Sequence, residues 1–259
     1  MPESDRPAGT PPPSPAQPGW GAVKEHILAN KITFGMFCTR LLTLFFTLNY
    51  FLPIFLTHSS QCYSKALMAN AATSALRLHQ RIPRVQFNRA FLGTIFLEDS
   101  AHYVLYSLIF IFGQPLTMAL VPCVLFAVLH AASYFLTLLD RMGQQNSFWG
   151  ARMLISFVEF QSRNSLRMAA FTEIFLMPTV VVFIFVGRTN LFTPFMYYRF
   201  LTLRYASRRN PYTRAVFMEL RLSLEQAVQS PRIPDGVRTL THKAIALVSS
   251  LAPVYAPEH

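Results

Sequence analysis

Apolar residues run almost unbroken through several long stretches of the chain. From Phe34 to Thr57 the only charge is Arg40, and from Ser100 to Leu139 no Asp, Glu, Lys or Arg occurs at all. A helix rises 1.5 Å per residue, so about 20 residues cross the ~30 Å hydrocarbon layer of a bilayer. Residues 34–57 are long enough, with Arg40 near one end and able to snorkel toward the interface. The stretch 100–139 overshoots as one helix, and Gly113-Gln114-Pro115 supplies a break. That leaves a span at 115–139 and a less regular piece at 90–112, which contains Glu98, Asp99 and His102. A last span covers 168–187, interrupted by Glu173 and kinked at Pro178. The pattern predicts an all-α, polytopic α-helical membrane protein with three or four transmembrane helices plus amphipathic interfacial helices.

Outside these spans the periodicity is amphipathic and basic. Cys62 to Ile82 reads as a helix stopped by Pro83, with Arg77, Arg81 and Arg84 along one face. Such a helix suits the lipid headgroup layer, and equally suits packing against the protein's own spans. After residue 188, Arg199 and Arg204 alternate with aromatics between Phe195 and Tyr205, and Arg208-Arg209-Asn210-Pro211 ends that segment. Two further helices follow. Val216, Leu220 and Leu224 share one face with Arg214 off it, and Val237, Leu240, Ala244, Leu247 and Leu251 share another. Each Lys or Arg at an anionic leaflet contributes about 1 kcal/mol, so four or five together supply on the order of 4–5 kcal/mol. The alternative is that these helices dock on each other or on a protein.

Composition sharpens this picture. Of 259 residues, 52% are hydrophobic and only 14% charged, too few for an ordinary water-soluble surface. The net charge of +11 points to membrane phosphate, since no nucleic-acid-binding motif accompanies the arginines. Residues 1–23 form a Pro-rich tail expected to be disordered, 24–187 a helical membrane domain, and 188–259 a basic amphipathic cytosolic tail. No cleavable signal peptide precedes the first span, and the three cysteines lack metal or redox spacing. With three spans and a lumenal N-terminus, 15 Lys/Arg fall on the cytosolic side against 7; with four spans and both termini cytosolic, 13 against 9. Both arrangements put the C-terminus in the cytosol, and they leave the side of the N-terminus open.

Glu98, Asp99 and His102 lie three and four residues apart, so they can share a helical face, with Glu173 as a further intramembrane acid. The uses open to this cluster are a helix-packing polar network, a transport or proton path, or a metal site. No His-box, G-x-S-x-G, H-E-x-x-H or P-loop is present. No catalytic residue, metal or cofactor is expected, and the protein is read as no enzyme; the alternative is a small transporter or channel that uses the cluster.

Several blocks resemble the transmembrane protein 33 (Krüppel homologue 2) family. They are Ala66 to Pro83, Arg89-Ala-Phe-Leu92, Leu97 to Ile109, Glu173 to Pro178 and Tyr197 to Tyr212, in family order and ungapped. The resemblance covers residues 24 to 253 and implies a multi-pass protein of the endoplasmic reticulum membrane and nuclear envelope. It implies partners of the reticulon type, which shape tubules, nuclear-pore components as in fungal relatives, and participation in the unfolded-protein response. It carries no catalytic residues. The membrane-surface or partner contacts expected here are Arg77, Arg81, Arg84, Arg199, Arg204, Arg208, Arg209 and Arg214, facing anionic headgroups of the lipid bilayer.

Overall fold

The computed structural model describes residues 18–53, 59–82, 88–144, 149–207, 210–230 and 233–253. Ten helices occur among them, with no strand: α1 Trp20–Ala29, α2 Lys31–Phe51, α3 Ser59–Arg81, α4 Arg89–Phe96, α5 Asp99–Ile111, α6 Thr117–Arg141, α7 Trp149–Phe185, α8 Phe192–Ala206, α9 Tyr212–Val228 and α10 Asp235–Leu251. Three are long and apolar enough to cross a membrane: α2, α6 and α7. The less regular piece at 90–112 divides at Leu97-Glu98 into α4 and α5, of 8 and 13 residues, neither of which reaches across ~30 Å.

The polarity of α2 is inverted relative to a helix of a soluble protein. Its buried positions Met36, Arg40, Thr43 and Thr47 recur at spacings of four and three, while Leu41, Leu42, Phe45 and Leu48 are exposed. The inward threonines donate to carbonyls of the preceding turn, Thr43 Oγ1 to Thr39 O at 3.0 Å and Thr47 Oγ1 to Thr43 O at 2.7 Å. Their hydroxyls therefore cost little to bury. A hydrocarbon environment accounts for apolar side chains on the outside and polar ones within.

Hairpins organise the bundle. α3 runs antiparallel to α2: Thr73 Oγ1 donates to Thr39 Oγ1 at 2.7 Å near one end, and Tyr63 meets Tyr50 at 5.7 Å between ring centroids near the other. Small residues at Cys62, Ala66 and Ala69 on the buried face of α3 allow this close approach. α6 runs antiparallel to α2, with Tyr50 Oη 2.9 Å from Thr117 Oγ1 and the Tyr134 ring tilted against Phe37 at 5.0 Å between centroids. α8 runs antiparallel to α5, since Phe110 packs on Tyr197 while Asp99 reaches Arg204. Tyr103, Tyr106, Phe110, Tyr197 and Phe200 form an aromatic centre between α5, α6, α7 and α8.

Both chain ends consequently leave from the same end of the bundle. α1 is pinned to the end of α6, where Gly19 N–H donates to Arg141 O at 3.1 Å, and α9 departs beside the end of α8. Beside the three candidate spans, α3, too polar to register as one, runs back alongside α2.

Two segment boundaries also differ from the sequence reading. α7 starts at Trp149, so its first half is a polar extension of the apolar span at 168–187. α8, assigned from its basic composition to the tail beginning at 188, buries Tyr197, Phe200 and Leu201 in the core. The packed core of the described residues therefore includes α8. At the end of α6, Gly143 has φ +73° and closes the last turn, with Gln144 N–H donating to Leu139 O at 3.0 Å.

Candidate functional site

The polar residues converge at the end of the bundle where the termini emerge. On α8, Tyr197, Phe200 and Arg204 recur at spacings of three and four, which puts the guanidinium on the buried face. Arg204 is 1% exposed. Its Nε donates to Glu173 Oε2 at 3.1 Å, its Nη1 to Asp99 Oδ1 at 3.4 Å, and its guanidinium lies 5.2 Å from the Tyr103 ring centre. Glu173 is wholly buried and also accepts from the Tyr103 hydroxyl, while its backbone carbonyl accepts from Tyr197 Oη at 2.7 Å. Asp99 further accepts from Ser207 Oγ at 2.7 Å. Burial alone would lower the Arg204 pKa, but Glu173, Tyr103 and Asp99 outweigh it and raise the value. One arginine thereby ties α5, α7 and α8 together.

The rest of the acidic cluster has separate partners. Glu98 pairs with Arg81 at 2.6 Å. His102 Nε2 lies 2.7 Å from Phe96 O, the geometry of an N–H donor, and burial lowers its pKa. Among the described residues no three of His, Cys, Asp and Glu come together as metal ligands. Each carboxylate of the cluster lies against an arginine, Glu98 against Arg81 and both Asp99 and Glu173 against Arg204.

The expected surface arginines divide into several environments. Arg199 is exposed. Arg204 is not a surface contact, because its position on α8 places it against Glu173 in the core. Arg214 reaches back from α9 to the carbonyls of Tyr205 and Ser207 at 3.0 and 2.8 Å, satisfying the open C-terminus of α8. Arg84, Arg208 and Arg209 lie outside the described residues. Arg77 and Arg81 line a cavity of about 270 Å³ together with Arg40, Arg204 and His130. Arg40 is 9% exposed and turned into the bundle rather than outward. Its four- and three-residue spacing from Met36 and Thr43 is the signal that would have placed it on the inner face.

A family model described as transmembrane protein 33/nucleoporin POM33 matches residues 15–254. The chain belongs to this family. Krueppel homolog 2 of Drosophila melanogaster is 48% identical over 90% of this chain and 83% of its own length. Transmembrane protein 33 of Homo sapiens is 47% identical over 91% and 95%. A more distant relative, tetra-spanning protein 1 of Schizosaccharomyces pombe, is 21% identical over 64% and 62%. No solved structure matches. The transmembrane protein 33/POM33 match spans all ten helices, α8 to α10 included.

Proposed function

We propose that this family member performs no chemistry of its own and acts as an organising protein of the endoplasmic reticulum and nuclear envelope. In this reading it binds reticulon-type shaping proteins and nuclear-pore components, helps arrange tubules and pores, and takes part in the unfolded-protein response. The observation that carries it is α10. This helix buries no residue, and Val237, Leu240, Leu247, Val248 and Leu251 make an exposed apolar stripe along it, with Arg238 and Lys243 off the stripe. Each such side chain contributes about 1.5–3 kcal/mol when fully buried, so half-immersing five supplies roughly 5 kcal/mol. A helix of this kind lying in one leaflet adds area on that side and favours curvature.

Charge supports a cytosolic orientation for the end that carries the termini. The connections at the opposite end, residues 112–116 and 186–191, contain Arg188 as their single Lys or Arg, whereas the sequence from 207 to 259 contains seven. The name of the fission-yeast relative, tetra-spanning, fits an even number of crossings and termini on one side. The transporter reading loses support because the carboxylates it needs are held by arginines.

The test is imaging of the full chain at near-native level beside Leu240→Glu/Leu247→Glu, with reticulon-type proteins assayed by co-purification. The wild type is expected at the reticulum and nuclear rim, altering tubule morphology and retaining the partner. The variant should insert and localise but leave morphology unchanged. Equal effects of the two, or plasma-membrane localisation, would contradict the proposal.

A further inference from the structure

The cavity between α2, α3, α5, α6 and α8 holds more positive charge than the protein neutralises. Four guanidinium groups line it, from Arg40, Arg77, Arg81 and Arg204, and Asp99 is the one carboxylate among the lining residues. Arg81 is paired with Glu98 and Arg204 with Glu173. Arg40 is nine-tenths buried and has neither an ion pair nor a hydrogen bond among the described residues, while Arg77, half-buried, makes no direct ion pair and feels only the more distant pull of Asp99 and Glu98. Arg204, still more deeply buried, keeps Nη2 without a partner.

Removing an arginine from water without a counter-charge costs several kcal/mol, and Arg40, with Arg77 beside it, incurs that cost unless something compensates it. The compensation required is an anion. Asn70, Thr73 and Ser100 supply neutral polar groups on the same walls. Guanidinium forks match the oxygens of phosphate in bidentate fashion, and the four arginines exceed the three carboxylates beside them, Glu98, Asp99 and Glu173, by one charge.

The position of the cavity is informative too. Leu166 of α7 lines it, just before the helix changes from its charged first half to the apolar 168–185 stretch. That level corresponds to a bilayer's polar boundary, where phosphate groups of lipids reside. Phe126 and Ala127 form an apolar wall beside the arginines, as an amphiphilic guest would need.

We propose that Arg40, Arg77, Arg81 and Arg204 form a binding site for a phosphomonoester group, carried by a membrane-lipid headgroup or by a soluble phosphate compound. Arg204 then has a double role, joining α5, α7 and α8 through its Nε and Nη1 and meeting the ligand through Nη2.

The experiment uses the full chain purified in detergent and stripped of co-purified lipid. Thermal unfolding is followed with inorganic phosphate, with a short-chain phosphatidic acid, and with a zwitterionic short-chain lipid as control. A rise in the midpoint with phosphatidic acid but not with phosphate assigns the site to a headgroup, and a rise with both assigns it to phosphate as such. Arg40→Gln/Arg77→Gln is the deciding variant. It is expected to lose at least tenfold in affinity while its ligand-free midpoint stays level or rises, because unpaired cations have been removed. Native mass spectrometry of the unstripped protein checks the same point, with a phosphate-bearing adduct expected on the wild type and missing from the variant. No midpoint rise with either anion, or undiminished binding by the variant, would overturn the proposal.

Discussion

Replacing Glu173 with Leu tests the buried network most severely. The substitution removes the carboxylate that Arg204 Nε meets at 3.1 Å and that also accepts from the Tyr103 hydroxyl. At an effective dielectric near 20, opposite charges about 4 Å apart attract by about 4 kcal/mol. Losing that attraction leaves Arg204 buried with only Asp99, at 3.4 Å, as a counter-charge, and leaves the Tyr103 hydroxyl without its acceptor. Breaking a buried pair in this way costs about 3–5 kcal/mol. For a chain of this size each kcal/mol moves the unfolding midpoint by about 2–4 °C, so a drop on the order of 10 °C is expected. The assay is thermal unfolding of the full chain in detergent, with Glu173→Leu/Arg204→Met as the companion. Removing both charges together should restore most of the loss, since two apolar residues of similar volume need no counter-ion. A drop under 3 °C for Glu173→Leu, or a double variant no better than the single, would refute the claim that α5, α7 and α8 are held by this pair.

Three further outcomes follow from other parts of the fold. Arg214→Gln should destabilise by about 1–3 kcal/mol in the same unfolding assay, because the carbonyls of Tyr205 and Ser207 lose a charged donor; an unchanged midpoint would show that this cap is dispensable. Gly143→Ala should cost about 1–2 kcal/mol, since φ is +73° and the new Cβ would sit 2.9 Å from Pro18 Cβ; wild-type stability would contradict the turn geometry. Epitope tags at Met1 and His259, probed by protease on sealed microsomes, should be digested together, because α1 and α9 leave the bundle at one end. Protection of one tag alone would contradict the antiparallel placement of α3.

Much of the fold is legible in the sequence because lipid imposes a simple requirement. Residues 34–57 and 115–139 stand out by apolar length alone, and α2 and α6 occupy nearly those positions. The course of α3 is not legible in the same way. Its polar face is neutralised by Thr39, Ser107 and neighbouring helices, so hydropathy cannot distinguish an internal helix from one on the membrane surface. α8 misleads for a related reason: Arg199 and Arg204 look alike in the sequence, yet one is exposed and the other closes a buried network. What separates them is the register of Tyr197, Phe200 and Arg204 on one face. The Glu98, Asp99 and His102 cluster is visible from spacing, whereas the arginines that pair with it come from other helices, Arg81 of α3 17 residues before Glu98 and Arg204 of α8 105 residues after Asp99.

The proposal that the family member works by holding α10 on a membrane is tested most directly on that helix in the intact protein. With Cys38, Cys62 and Cys123 replaced by serine or alanine, an environment-sensitive fluorophore is placed at Leu247→Cys on the apolar stripe or at His242→Cys off it, and the full chain is reconstituted in vesicles containing brominated lipid. Fluorescence at 247 should be blue-shifted and strongly quenched, and that at 242 little affected, with the contrast larger in anionic vesicles. Equal and weak quenching at both positions would place α10 in water and contradict the account.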